Sequence, residues 1–207
     1  MDLMGFFTKG GWVMWPILFC SVVMLALTAE RLWRYSRVRL AGEALAERVG
    51  GALSQGDRAA ALAQAGEDPG PLGRVLLAAA QVNPQDRETM ETVLIDAQQG
   101  EVRELERYLP VLAAIGNLAP LLGLLGTVTG MIKAFMVIQE TGGKVNAAVL
   151  AGGIWEAMLT TAFGLIVALP TMAAHSYLAG RVDRFHDGLA SRSVAFIKAL
   201  NGSRQGS

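Results

Sequence analysis

Apolar positions in this chain gather into three long runs separated by mixed, helix-spaced segments. Charged side chains are missing from Gly10 to Ala29 and again from Tyr108 to Ile132; from Val145 to Gly180 only Glu156 and, near the end, His175 intervene. A helix needs roughly 20 apolar residues to cross a hydrocarbon core of about 30 Å. Each run therefore predicts a membrane helix, over 11–30, 111–140 and 147–179. This leaves 1–10 as a short outer N-terminal segment, 31–110 as a helical cytoplasmic region, 141–146 as a turn, and 180–207 as a cytoplasmic helix with a frayed tail. The predicted class is an all-α membrane protein with three transmembrane helices.

Between the runs the pattern stays helical. Leu40, Leu45, Val49 and Leu53 predict that the first helix continues into the cytoplasm until Gly50 and Gly51 weaken it. Breakers at Gly56, Asp68-Pro69-Gly70-Pro71 and Asn83-Pro84 mark out short amphipathic helices. From Met90 through Val93, Leu94, Ala97, Val102, Leu105 and Leu109 the spacing runs unbroken into the second span, predicting one long helix kinked at Pro110. Beyond the third span, Val182, Phe185, Leu189, Phe196 and Leu200 prolong an apolar stripe, so that helix too projects past the membrane.

Charge placement sets the topology. Arg31, Arg34, Arg37 and Arg39 follow the first run and Arg181 and Arg184 follow the third, which puts both flanks on the cytoplasmic side, N-terminus out and C-terminus in. Without a convincing small-residue cleavage site before those arginines, the first run reads as an uncleaved anchor. Phe6, Phe7, Trp12 and Trp15 suit an interfacial aromatic belt. Lys plus Arg number 18 and Asp plus Glu 18, so net charge is zero and the basic cluster is a topology signal, with no nucleic-acid partner implied. Cys20 is the only cysteine, offering neither disulfide nor metal site. No nucleophilic triad, metal-ligand cluster or phosphate loop appears, so neither an enzyme nor a cofactor is expected.

The second and third spans form a hairpin folded about residue 144, and residues equally far from that point lie at similar depth because both helices rise about 1.5 Å per residue. Thr127 and Thr161 are level by this measure. So are Lys133 and Glu156, which makes an ion pair plausible at a depth where a lone charge costs roughly 3 kcal/mol or more. At about 100° per residue, Gly153, Glu156, Thr160, Gly164, Thr171 and His175 share one stripe of the third span, with Thr161 at its edge. On the second span Pro120, Gly123, Thr127, Gly130 and Ala134 share a face, with Gly126 and Gly130 spaced for close helix packing. Two readings stay open for these residues: a wet proton path, or ordinary packing with threonines bonded back to their own helix.

Ala119-Pro120-Leu121-Leu122-Gly123-Leu124-Leu125-Gly126-Thr127-Val128, then Gly130-Met131-Ile132, resembles the second-span signature of the MotA/TolQ/ExbB proton-channel family in its ExbB/TolQ branch. Ile154-Trp155-Glu156-Ala157-Met158-Leu159-Thr160-Thr161-Ala162 and Gly164-Leu165 through Pro170 extend the likeness, while the rest of the chain resembles the family in layout only. The resemblance implies a homopentameric ring in the bacterial inner membrane around the single membrane helices of an ExbD/TolR-like partner, whose aspartate takes up the proton. It implies work done on a TonB/TolA-like periplasm-spanning protein, with Thr127 and Thr161 lining the lumen and Glu156 as the third-span glutamate; Thr160, on the polar stripe beside them, is assigned to the same proton path. Lys133 and Trp155 depart from the family pattern. Two alternatives are a non-conducting scaffold that seats a partner helix, and a MotA-like motility stator subunit.

Overall fold

A computed structural model describes residues 11–38, 40–83, 86–140 and 147–202. The expected outer segment 1–10, the turn 141–146 and the last residues of the tail lie outside the described residues. Helix α1, Met14–Arg37, starts as soon as the apolar run does. Pro16 sits in its first turn, where a backbone N–H has no intrahelical acceptor to lose. Arg34 and Arg37 occupy its last turn, where their charge complements the exposed carbonyls.

The helix does not continue through Leu40 as its apolar spacing suggested. It ends at Arg37, Gly42 takes an extended conformation, and α2 begins afresh at Glu43–Ser54. Nor do Gly50 and Gly51 end a helix, for both lie inside α2. A Cβ on Gly50 would stand 2.9 Å from that of Ala199 and 3.2 Å from the backbone nitrogen of Leu200, so this glycine is a point of close helix approach.

The breakers at Gly56 and at Asp68 to Pro71 act as expected, while Pro84 lies outside the described residues. Gly56 turns the chain with φ +81°, and Asp57 caps α3, Arg58–Gly66, by accepting the N–H of Ala60 at 2.9 Å. Asp68 accepts from the N–H groups of Gly70 and Gly73 at 2.9 and 3.0 Å, and Pro71 opens α4, Pro71–Gln81. Asp86 caps α5, Arg87–Glu106, through the N–H and hydroxyl of Thr89 at 3.1 and 2.7 Å. These hydrogen bonds to its ionised form hold its carboxyl below the usual aspartate range.

The long helix expected from Met90 into the second span is two helices. A turn at Arg107 and Tyr108 separates α5 from α6, Leu109–Glu140. Pro110 explains the interruption, since it lacks the N–H that would bond the Glu106 carbonyl and its ring crowds that oxygen. Helix α7, Ala147–Gly202, is continuous over 56 residues despite Pro170.

The described residues are 90% helical without strands, and three helices are long and apolar enough to cross a membrane. The chain divides into two units. Met1–Arg31 with Tyr108–Tyr177 forms one, and Leu32–Arg107 with Leu178–Ser207 the other. In the second unit, α2 to α5 and the end of α7 close over one apolar core that includes Leu45, Val49, Leu72, Leu76, Met90 and Phe196. In the first, α6 and α7 pack along a seam of small residues.

Candidate functional site

Ala119, Gly123, Gly126, Gly130 and Ala134 recur on α6 at intervals of three or four and are all buried. Opposite them on α7 stand Gly153, Ala157, Thr160 and Gly164. A Cβ on Gly123 would lie 3.0 Å from the Thr161 Cα, and one on Gly130 would lie 3.1 Å from the Ala157 Cβ and 3.2 Å from the Gly153 carbonyl. One on Gly164 would lie 2.6 Å from the Ala119 carbonyl. The backbones approach this closely because side chains are absent, which is how helices associate where apolar burial gives no advantage over lipid.

The seam is turned slightly from the face read off the sequence. Gly126 is buried in it, and Thr127 stands beside it, partly open. Pro120 is also at the margin. Ala157, 3% exposed, was passed over in the sequence because a single alanine carries no polar signal.

The threonines separate into two kinds. Thr160 is 1% exposed, faces Gly126, and donates to the carbonyl of Ala157 at 2.7 Å; Thr171, fully buried, donates to Val167 at 2.6 Å. Both spend their hydroxyls on their own helix, so within the subunit Thr160 is a packing residue of the seam and does not present an open surface. Thr127 donates to the Leu124 carbonyl at 2.7 Å. Thr161 reaches across instead, donating to the Gly123 carbonyl on α6 at 3.0 Å.

One turn from Thr160, the Glu156 carboxylate meets the Lys133 ammonium of α6 at 2.9 Å, the carboxylate side chain 26% and the lysine 54% exposed. The pair is bounded on another side by the entry to α1. Gly11 has φ +69°, and a Cβ built there would stand 3.5 Å from both the Glu156 carboxyl carbon and the Lys133 nitrogen. Sequence reading placed Gly11 only at the edge of an apolar run; a lone glycine there carries no sign of a contact so far along the chain. Trp155, Ile166 and Leu169 point away from the seam and are exposed.

At the other end of this unit Arg31 is 1% exposed. It pairs with Glu30 at 2.5 Å, and its guanidinium lies 4.6 Å from the Tyr108 ring centre. An arginine that reads as a topology marker thus also ties α1 to the start of the second apolar helix.

The MotA/TolQ/ExbB proton channel family pattern matches residues 67–190, which includes the whole seam and the ion pair. The chain belongs to this family. Among similar proteins, the Biopolymer transport protein exbB1 of Vibrio cholerae is 32% identical over 84% of this chain and 78% of its own length. The Putative biopolymer transport protein ExbB-like 1 of Synechocystis is 36% identical over 79% of this chain and 65% of its own, so the chain spans about two thirds of that relative. The Tol-Pal system protein TolQ of Haemophilus influenzae is 38% identical over 50% of this chain and 46% of its own. As a member of the MotA/TolQ/ExbB family with three helices of spanning length, the chain is a multi-pass membrane protein.

Proposed function

We propose that this chain is the ring-forming proton-channel subunit of an inner-membrane energy-transducing complex. In this reading it assembles as a homopentamer, N-terminus out and C-terminus in. It encloses an ExbD/TolR-like single-span partner and passes the work of proton flow to a TonB/TolA-like protein. The relatives carry names from biopolymer transport and the Tol-Pal system, which favours this branch over a motility stator. Its role is transport and mechanical coupling, without an enzymatic reaction or a cofactor.

The observation that carries the reading is Glu156, a partly open carboxylate within an apolar helix, balanced by one lysine at 2.9 Å. A carboxylate can take and release a proton, and Thr127 and Thr161, both partly open, offer hydroxyls that donate and accept. An intramembrane ionisable group is costly unless it faces a partner or water, so the face bearing it should turn toward the ring interior. Burial of Thr160 in the seam makes Thr127, Thr161 and Glu156 the lining residues of this proposal, with Thr160 supporting the wall behind them.

Proton flux into liposomes holding the subunit and its partner tests the reading. Glu156→Gln, Thr127→Ala and Thr161→Ala should each reduce flux, the first most. Unchanged flux in all three would leave the chain a scaffold that seats a partner helix.

A further inference from the structure

Where the first and third apolar runs give way to arginines, the chain builds a cleft that the proton path does not use. The cleft, about 220 Å³, lies wholly within the second unit. Val38, Leu40, Leu105 and Phe185 give it apolar walls, and Arg181 and Arg184 complete its lining.

Its walls are tied in place. The Tyr35 hydroxyl donates to the Leu105 carbonyl at 2.8 Å, joining the last turn of α1 to that of α5. Arg181 donates to the Tyr35 carbonyl at 3.4 Å, and Arg192, three turns along α7, donates to the Ala41 carbonyl at 2.6 Å. Among the described residues the cleft's basic lining is Arg181 and Arg184 of α7, while the neighbouring Arg34 pairs with Glu104 at 2.6 Å.

Along the sequence the cleft has a defined level. Tyr35 follows Ala29, the end of the first uncharged run, by less than two helical turns, and Arg181 directly follows Gly180, the end of the third. Residues so placed stand at the depth of lipid headgroups, where a cleft with apolar walls and two arginines in its lining matches an anionic amphiphile. Guanidinium groups suit phosphate oxygens, and the volume holds a headgroup with the first carbons of a chain, too little for a folded partner.

We propose that this cleft is a binding site for one anionic phospholipid per subunit, its phosphate held by Arg181 and Arg184 and its first chain carbons lying against Leu105 and Phe185. The site pins α1, α5 and α7 to the membrane surface at the point where the spans end. It is independent of the proton-channel reading.

The assembled protein, stripped of lipid in detergent, would be titrated with phosphatidylglycerol, with phosphatidylcholine of the same chains, and with inorganic phosphate, adducts being counted by native mass spectrometry. Phosphatidylglycerol should be retained over phosphatidylcholine, and Arg181→Gln and Arg184→Gln should each weaken it about fivefold. Arg184 is exposed, so its variant keeps the fold and decides the matter should Arg181→Gln lose helix content or change assembly. Equal retention of the two lipids, or phosphatidylglycerol binding untouched by Arg184→Gln, overturns the proposal. Displacement of the lipid by an equal concentration of inorganic phosphate also overturns it, since the site would then take a soluble anion.

Discussion

Thr161 donates its hydroxyl to the carbonyl of Gly123 at 3.0 Å, from one membrane helix to the other. In α-helical geometry that same carbonyl receives the N–H of Thr127, so a single oxygen links the two threonines that sequence arithmetic put level. The bond can form only because Gly123 has no side chain to hold the helices apart. A packing requirement and a polar contact thus meet at one residue.

The first prediction concerns this seam. Gly164→Ala puts a methyl group 2.6 Å from the Ala119 carbonyl, which belongs to a helix backbone that cannot swing aside. It should destabilise the hairpin by about 1–3 kcal/mol, the usual penalty of overpacking. Gly152→Ala is the control, because nothing lies within 4 Å of its added Cβ. Unfolding of the two variants in mixed detergent micelles should differ by that amount, and equal stability would mean the helices are not in this register.

A second prediction follows from Gly11. Its positive φ alone disfavours any residue with a side chain, by roughly 1 kcal/mol or more. A Cβ there also collides with the Glu156 carboxylate. Gly11→Ala should therefore disturb the ion pair as well as the start of α1, whereas Gly42→Ala, with open space around its Cβ, should leave the pair alone. Infrared absorption of the Glu156 carboxylate, assigned by its loss in Glu156→Gln, should move in Gly11→Ala only.

The hairpin could be read from the chain because two signals coincide there: runs of small residues at intervals of three or four, and charges equidistant from one turn. The rest was harder for physical reasons. Leu45, Val49 and Leu53 do share a buried face, but periodicity reports a face and not where a new helix axis begins, so their spacing does not show the break at Gly42. Pro110 announced a bend without saying whether the helix survives it. Gly126 and Thr127 flank the line through Gly123 and Gly130 on opposite sides, so a stripe drawn on a wheel cannot say toward which of the two the seam turns. Gly11 was invisible because its partners lie more than 120 positions away.

The third prediction concerns acid. Asp86 is held below its ordinary pKa by Thr89, so its cap is fully present above the unfolded value, about 3.9, and is lost as pH falls through the folded value. Amide protection in the first turn of α5, taken relative to intrinsic exchange at each pH, should fall over that low-pH window. In Asp86→Asn, which can still accept the bond but does not titrate there, this loss of protection should vanish. Equal acid sensitivity in both proteins would show that another carboxylate controls the α5 terminus.

The fourth prediction separates what Lys133 does from what Glu156 does. If the lysine serves only to balance the carboxylate, exchanging the two residues, Lys133→Glu with Glu156→Lys, keeps the 2.9 Å pairing possible while moving the acid from α7 to α6. A double-mutant cycle with Lys133→Gln and Glu156→Gln should show a favourable coupling free energy for the pair. Each single charge reversal brings two like charges together and should lower the yield of assembled protein; the exchange should restore it. Proton flux is a different matter, since the acid would then project from the other helix, one turn from Gly130 and away from Thr161. Restored assembly without restored flux is the expected result. Recovery of both would mean that any carboxylate at this level suffices, and that the position of Glu156 beside the threonines is irrelevant to conduction.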